Sequence, residues 1–298
     1  MKYQNISIHR VINKLFRKVI LGIKLITIVV ALVIFLRVFC FSSYVIPSYS
    51  MYPNLIDGDH IVVNKWLLGV RLYKSFDFSK GTKTRTLRLK GLKKVNRNDV
   101  LVFNFPYKEG YEKIKFTPNV FYVKRCIAVP GDAFYIENGI YKVRNIQSTL
   151  GCYQNQTDNW IRFNKEGSGS VDIAFPHDKT YNWTILDFGP LYIPGKGDQL
   201  KIDTLNVKLY RNLISYETGN DISIKEEKVY LGDEILTSYT FSQNYYFMAG
   251  DYVFDSQDSR YWGLLPEDHI VGKATIIWNS MESETKKFRW NRFLKSIN

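Results

Sequence analysis

Two serines are the residues of this sequence whose type and spacing best suit nucleophilic chemistry. Ser48 and Ser50 stand two positions apart between Pro47 and Pro53, and the prolines stiffen the segment. In an extended chain both hydroxyls point the same way. One hydroxyl could then attack a substrate carbonyl while the other donates a hydrogen bond to the same group. The alternative interpretation is a polar turn without chemistry.

A lysine in a strand-like run supplies a candidate base for such a serine. Lys124 lies in residues 120–129 (VFYVKRCIAV), where both alternating faces are rich in apolar side chains. Tyr122, Cys126 and Ala128 share its face, so we expect the amine to be poorly solvated. Burial disfavours the ammonium form and lowers the lysine pKa, as a lysine general base requires. The alternative is a lysine that snorkels to water at the strand edge.

Histidines and aspartates offer weaker candidates. A Ser-His-Asp triad could use His60 or His269, but no G-x-S-x-G nucleophile elbow accompanies them. Four aspartates could also be interpreted as a metal site. Their neighbours, such as Arg260 and several glycines, favour ion pairs and turn caps instead. These aspartates are Asp57, Asp59, Asp251 and Asp258. Three cysteines are too few for a four-ligand zinc site, and neither a metal nor a cofactor is indicated.

One apolar segment is long enough to cross a membrane. Residues 19–41 contain 21 uncharged side chains among 23, and at about 1.5 Å per residue they span roughly 34 Å. Lys24 and Arg37 lie about one turn from the ends, where they can snorkel to the headgroups. A buried core helix and a cleaved signal peptide are the alternatives. Bulky residues at 39–44 provide no small-x-small cleavage site, which favours an uncleaved anchor.

The net charge of +13 is concentrated in three short segments. Residues 1–24 carry +6, residues 71–98 carry +9 and residues 282–298 carry +3, whereas residues 99–281 sum to −5. This distribution favours a membrane over nucleic acid as the partner. For residues 71–98 two interpretations stay open, a contact with an anionic bilayer and a plain solvated loop. The C-terminal segment interleaves basic residues with Phe, Trp and Leu, a pattern that suits a bilayer surface.

Flanking charge predicts the orientation of the anchor. Four basic residues occupy positions 10–18, and residues 42–64 contain no Lys or Arg. Because positive charge stays on the cytoplasmic side, the N-terminus is predicted in the cytoplasm and everything after residue 41 outside.

Short β-branched and aromatic runs dominate the exported part. Four runs are predicted as strands: 59–64, 99–105, 120–129 and 270–278. The dipeptide Asn138-Gly139 predicts a hairpin with a type I′ turn. No long 3.6-residue period follows the membrane segment, so the class is mainly β, as a partly closed antiparallel sheet structure. The sequence divides into a cytoplasmic N-terminus 1–18, an anchor 19–41, a β core 42–144 and 245–281 with a basic loop or ribbon 71–98, a polar inserted β-rich subdomain 145–244, and a basic tail 282–298.

Four motifs follow the anchor in a fixed order. They are P-S-x-S-M-x-P-x-L from Pro47, G-D from Gly58, Y-V-K-R-x-x-x-x-P-G-D from Tyr122, and G-D…S-x-D-S-R-Y-W-G from Gly250. Together they resemble the bacterial type I signal peptidases (leader peptidases), membrane-anchored Ser-Lys endopeptidases. The resemblance covers about residues 20–65, 99–142 and 245–280, and it implies a coiled, largely antiparallel β catalytic domain.

The resemblance also implies roles for individual residues. Ser50 matches the nucleophile and Lys124 the general base, with the Ser50 N–H and the Ser48 hydroxyl as the oxyanion hole. Ser256 would orient the Lys124 amine, and Asp258 and Arg260 would form a supporting ion pair. Seven residues match positions that line pockets for substrate residues −1 and −3: Tyr44, Ile46, Met51, Leu55, Tyr122, Val123 and Met248.

Three positions depart from the pattern of that family. Asn54 replaces the usual threonine, Tyr252 replaces an asparagine, and Asp255 replaces an asparagine directly before Ser256. A carboxylate close to Lys124 would favour the protonated amine and oppose its role as a base. We therefore expect Asp255 to point away from Lys124.

The function that this resemblance implies is removal of signal peptides from exported preproteins. Cleavage would follow small residues at −1 and −3, on the periplasmic face of the bacterial cytoplasmic membrane, without cofactor, metal or nucleic acid. Two alternatives belong to other classes. A self-cleaving Ser-Lys protein would need a DNA-binding domain where the membrane segment stands. A non-catalytic membrane-anchored β scaffold would form no covalent adduct at Ser50.

Overall fold

The computed structural model describes residues 2–73, 86–107, 110–166 and 171–298. Contacts divide it into two units, residues 1–42 and residues 43–298. The first unit is helix α1 (Lys2–Phe35), extended by a π-helical turn at Leu36–Cys40. Lys14–Cys40 is the one stretch of helix in the described part of the chain that is long and apolar enough to span a membrane. Its apolar side chains are exposed on every side, as suits a helix surrounded by lipid.

The second unit is built mainly from short strands. In chain order they are β1 (Phe41–Val45), β2 (Asp59–Asn64), β3 (Arg71–Tyr73), β4 (Thr86–Arg88), β5 (Val100–Asn104), β6 (Phe121–Ala128), β7 (Ala133–Glu137), β8 (Ile140–Val143), β9 (Phe188–Tyr192), β10 (Gln199–Lys201), β11 (Ile222–Lys225), β12 (Lys228–Leu231), β13 (Glu234–Ile235), β14 (Ser238–Thr240), β15 (Tyr245–Ala249), β16 (Leu265–Pro266), β17 (Ile270–Ser280) and β18 (Lys295–Ser296). Three further helices are α2 (Tyr153–Glu166), α3 (Val207–Thr218) and α4 (Ser259–Trp262).

One eight-stranded antiparallel sheet carries the fold. Its order is β1-β2-β17-β5-β6-β15-β16, with β18 paired to β17. The register shifts within the β17 pairs with β2 and β5 and within the β15–β6 pair, and such bulges bend and twist a sheet. The four predicted strands are present, and the mainly β class is confirmed.

The hairpin predicted at Asn138-Gly139 joins β7 to β8. Both turn residues have positive φ, 52° and 75°, as a type I′ turn requires. Smaller sheets surround the main one: β8-β7-β9, β3-β4, β10-β14 and β11-β12-β13. The ribbon β3-β4 lies in the basic stretch 71–98, of which residues 74–85 fall outside the described part of the chain.

Two helices lie in the inserted region, where the sequence showed no long 3.6-residue period and predicted a β-rich subdomain. Helix α2 buries the amide side chains Gln156 and Asn159 on its inner face, so its sequence shows no apolar stripe. Helix α3 does carry an apolar period, with Tyr210, Leu213 and Ile214 buried, and Gly219 ends it in the left-handed conformation. The inserted region 145–244 therefore combines strands β9 to β14 with these helices.

The basic C-terminal segment folds onto the body instead of forming a free tail. Strand β18 pairs with β17, and the backbone of Met281 bridges to Phe288. The side chain of Arg292 is buried, whereas Trp290 and Leu294 stay exposed. Part of the positive charge in residues 282–298 is therefore paired inside the protein, because Arg292 forms an ion pair with Asp59.

Candidate active site

The serine segment forms a tight turn between β1 and β2. Backbone bonds from Tyr52 N to Tyr49 O (2.8 Å) and from Leu55 N to Met51 O (2.9 Å) close it. The segment is a turn and not an extended chain, but the two hydroxyls still converge: Ser48 Oγ lies 3.4 Å from Ser50 Oγ. Buried Met51 and Leu55 anchor the turn in the core.

Lys124 lies in β6, which is flanked by β5 and β15 in the middle of the sheet. The side chain is only 4% exposed, so the snorkelling alternative is wrong. Its Nζ lies 2.6 Å from Ser50 Oγ and 5.8 Å from the ring centre of Tyr122. Burial lowers the pKa of Lys124 to about 8, against a smaller opposing effect of the Asp258 carboxylate. A neutral amine is thus accessible next to the serine hydroxyl.

A loop after β15 closes against the serine turn. Tyr252 N donates to Ser50 O at 3.1 Å. A Cβ at Gly250 would lie 2.5 Å from that carbonyl oxygen and 2.2 Å from Ser256 Oγ, so only glycine permits this approach. The Ser256 hydroxyl is buried and has no hydrogen-bond partner among the described residues. The hydrogen bond predicted between Ser256 and Lys124 is therefore not formed.

Asp258 and Arg260 form a fully buried ion pair beneath this loop. Arg260 Nε and Nη2 donate to the two carboxylate oxygens at 2.8 and 2.9 Å. Gly250 N also donates to Asp258 Oδ2, at 2.9 Å. Burial alone would raise the pKa of Asp258, but the Arg260 guanidinium, the Gly250 N–H and the charge of Lys124 together outweigh burial and lower that pKa. The carboxylate thus stays charged and fixes both ends of the loop.

A second buried ion pair attaches the serine turn to the sheet. Arg125 donates to both oxygens of Asp251 at 2.7 Å, and Asn54 Nδ2 donates to the same carboxylate at 2.6 Å. Asn155 of α2 donates to the main-chain oxygens of Tyr52 (2.9 Å) and Asp251 (2.6 Å). Asn54, one of the departures from the family pattern, therefore joins this network, and the inserted region helps to position the turn.

The third pair uses the C-terminal segment. Arg292 donates to both carboxylate oxygens of buried Asp59 and to Asn54 O at 2.8 Å. Three of the four aspartates considered from the sequence therefore form ion pairs with arginines. Asp57, the fourth, accepts a hydrogen bond from Ser283.

A cavity of about 600 Å³ opens over Ser50 and Lys124. Five of the seven predicted pocket residues line it: Tyr44, Ile46, Met51, Tyr122 and Val123. Leu55 and Met248 do not, because both are completely buried in the core. Residues that sequence reasoning missed also line it, among them Asn119, Phe121 and Gln257. Phe121 lies in the same strand as Lys124, three positions earlier. The predicted strand over residues 120–129 already contained it, so the sequence pattern could have indicated that it lies near the site.

Asp255 also lines this cavity, together with Lys124. The Lys124 amine is hydrogen-bonded to Ser50 Oγ and not to this carboxylate, and the expectation that Asp255 points away from the amine stays a prediction. Asp255 is exposed, and its carboxylate raises the pKa of Lys124 by less than Asp258 or Asp251 does.

Neither candidate triad histidine lines the cavity. His60 packs edge-on against Trp278, with ring centres 5.6 Å apart. His269 is buried, with Nδ1 3.0 Å from Asp268 Oδ1. The serine therefore has a lysine, and no histidine, beside it.

Comparison with known proteins agrees with this geometry. The family described as "Signal peptidase, peptidase S26" matches residues 19–172 and 190–279. The chain is 30% identical to "Signal peptidase I" of Haemophilus influenzae, over 90% of this chain and 73% of that protein. It is 25% identical to the proteins of that name from Aquifex aeolicus (85% of this chain, 81% of that protein) and Helicobacter pylori (91% and 89%).

Fold, site and family match together define a protease, with an N-terminal helix that fits membrane anchoring. The matched region covers well over half of the chain. The chain belongs to the signal peptidase family, peptidase S26, whose members named above are signal peptidases of bacteria. Removal of signal peptides is accordingly its reaction.

Proposed function

We propose that the protein cleaves signal peptides with Ser50 as nucleophile and Lys124 as general base. The observation that carries this proposal is the 2.6 Å separation of Ser50 Oγ and a buried Lys124 Nζ. Such proximity is the mark of a nucleophile and its activating base. The lowered pKa allows the neutral amine to accept the serine proton near neutral pH.

The reaction proceeds through an acyl-enzyme. Ser50 Oγ bonds to the carbonyl carbon of the scissile peptide while its proton passes to Lys124 Nζ. Collapse of the tetrahedral intermediate breaks the C–N bond, and Lys124 gives the proton to the leaving amine. The amine of Lys124, again neutral, then takes a proton from a water molecule whose oxygen attacks the ester carbon. When the ester C–O bond breaks, Lys124 returns that proton to Ser50 Oγ, which restores the serine hydroxyl and the neutral amine.

Ser48 and the Ser50 N–H act as the oxyanion hole in this proposal. The two serine oxygens lie 3.4 Å apart at the cavity, so the Ser48 hydroxyl can donate to an oxygen on the carbon under attack. Replacement of Ser48 by alanine lowers kcat by roughly 10²–10³, as loss of one oxyanion donor does. Single-turnover cleavage of a precursor measures this, and an unchanged rate would remove Ser48 from the hole.

Ser256, Asp258 and Arg260 serve as positioning residues. Ser256 packs next to Ser50 O and fills the space that a side chain at Gly250 would need. The Asp258–Arg260 pair holds the loop that contacts Ser50 through Tyr252. These three residues keep Ser50 Oγ within hydrogen-bond distance of Lys124 Nζ. This matters because small displacements of reacting groups strongly lower the rate.

The cavity suits a substrate with small side chains before the cut. Ile46, Met51 and Val123 give its walls an apolar surface, which fits small residues at −1 and −3. The helix at Lys14–Cys40 anchors the enzyme in the cytoplasmic membrane with its N-terminus inside and the catalytic part on the periplasmic side. Because preproteins carry an apolar segment into the same membrane, anchoring raises their effective concentration at the enzyme.

Covalent labelling tests the catalytic assignment. A serine-acylating inhibitor is expected to add one acyl group to the full-length protein, and peptide mass spectrometry is expected to place it on Ser50. The Lys124→Met variant should label far more slowly, while Lys142→Met, which changes an exposed lysine of β8, should label normally. Adduct formation at another serine would overturn the assignment of Ser50.

The pH dependence of cleavage gives an independent test. Because the neutral form of Lys124 is the active base, kcat/KM is expected to rise with pH and to level off above about 8. The free enzyme's pKa is read from the pH profile of kcat/KM for a short peptide substrate. A profile that is flat between pH 6 and 9 would contradict a lysine base with this pKa.

A further inference from the structure

The cavity over Ser50 contains one carboxylate that the proposed reaction does not use. Among the residues that line it, only Lys124 and Asp255 carry ionisable charge near neutral pH. Lys124 directs its amine at Ser50 Oγ. Asp255 forms no ion pair and no side-chain hydrogen bond with any residue that the structure describes. The carboxylate is therefore available to a ligand in the cavity.

The path of the loop explains why Asp255 faces the cavity. Phe254 packs against Tyr252, with ring centres 5.2 Å apart, and lies 5.8 Å from the Arg162 guanidinium of α2. Ser256 is buried against Ser50 O. The side chain of Asp255, between these two residues, therefore lines the cavity. Gln257 lines it as well, and its side-chain oxygen accepts a hydrogen bond from Tyr111 OH at 3.3 Å.

Other nearby carboxylates cannot compete for a cationic ligand. Asp251 is bound by Arg125 and Asp258 by Arg260, and both are buried. When Lys124 is neutral, as the reaction requires, the cavity holds a single uncompensated negative charge at Asp255. A positive group on a bound peptide would find its only opposite charge there.

We propose that Asp255 selects preproteins with a lysine or arginine at one of the first two positions after the scissile bond. This inference rests on the proposed function, because it takes the apolar walls formed by Ile46, Met51 and Val123 as the sites of residues −1 and −3. With residues −1 and −3 at the apolar walls, the first residues after the scissile bond are the ones that contact Asp255. Asp255 acts as a specificity residue and takes no part in proton transfer.

Matched substrates test this selection. Peptides that differ only by Lys, Gln or Glu at +1 or +2 are cleaved by the full-length enzyme in detergent. Wild-type enzyme is expected to favour Lys over Gln by roughly two- to five-fold in kcat/KM, the range of a solvent-exposed ion pair, with Glu cleaved more slowly than Gln. Rising salt should reduce these ratios toward one.

Two variants distinguish selection by the Asp255 carboxylate from a general effect of removing a negative charge. Asp255→Asn should make the three substrates equivalent, whereas Asp233→Asn, which changes an exposed carboxylate between β12 and β13, should preserve the preference. Ratios between substrates are the readout, because loss of the Asp255 charge also shifts the Lys124 pKa and changes all rates together.

Each result bears on a different claim. Equal cleavage of all three substrates by wild-type enzyme, or a preference kept in Asp255→Asn, overturns the selectivity while leaving the Ser50–Lys124 mechanism intact. A second peptide set with Lys, Gln or Glu at −2 controls for position, and a preference that appears only in this set overturns the placement after the cut. Wild-type enzyme that cleaves none of the peptides, and labels at no serine, overturns the proposed mechanism and this inference with it.

Discussion

Replacing Lys124 by methionine is expected to lower kcat/KM for precursor cleavage by on the order of 10⁴ while the protein stays folded. Methionine has a similar length and is apolar, so it fills the space of a side chain that is only 4% exposed. What it removes is the nitrogen 2.6 Å from Ser50 Oγ. Without that acceptor the serine hydroxyl keeps its proton and remains a weak nucleophile.

Two measurements on a set of matched variants test this expectation. Single-turnover cleavage gives the rate, and urea unfolding shows that the variant is folded. The Ser50→Ala variant should lose as much as Lys124→Met, and the double variant should lose little more, because the two residues act as a unit. Lys142→Met, which changes an exposed lysine, should cleave normally. A folded Lys124→Met enzyme with full activity at neutral pH would refute the lysine base.

Replacing Arg260 by methionine is expected to lower the free energy of unfolding by about 3–5 kcal/mol. The guanidinium is 1% exposed and Asp258 is completely buried. Removal of the arginine therefore leaves a carboxylate without its partner in a site from which water is excluded. The cost arises from that orphaned charge more than from the lost attraction.

An exposed ion pair provides the control for this second prediction. Lys113 and Asp221 lie 2.7 Å apart but are 62% and 78% exposed, so Lys113→Met should cost less than about 1 kcal/mol. Changing Asp258 to leucine in the Arg260→Met background should restore part of the stability, since no buried charge remains. Equal losses for Arg260→Met and Lys113→Met in urea unfolding would contradict the argument.

The strands of the core could be predicted because their signals are local. Residues 59–64 alternate in burial as the sequence pattern indicates, and Asn138-Gly139 encodes its own turn. Helix α2 could not be predicted in this way. Its buried face uses Gln156, whose amide accepts from Tyr141 N and donates to Leu150 O. Such polar burial depends on partners outside the helix, which the period of the helix itself does not contain.

The candidate site was predictable in its composition but not in its geometry. Strand periodicity indicated that Lys124 is buried, yet the neighbouring strands that bury it are supplied by residues 100–104 and 245–249. The orientation of Asp255 follows from contacts of Phe254 and Ser256 on either side, which no local pattern contains. Likewise, the charge of Arg292 indicated a membrane surface, whereas its buried partner is Asp59, far away in the chain.

Burial of Lys124 also has a thermodynamic consequence for the whole molecule. The pKa of Lys124 is about 8 in the folded protein and 10.5 in the unfolded chain, so between these pH values the unfolded chain binds more protons. Stability therefore rises as the pH rises through this interval. Below about pH 8 both states are protonated, and the fold carries the full penalty of about 3 kcal/mol. The net free energy of unfolding of a domain is roughly 5–15 kcal/mol. The penalty for burying the Lys124 ammonium is therefore a substantial fraction of the stability of the protein.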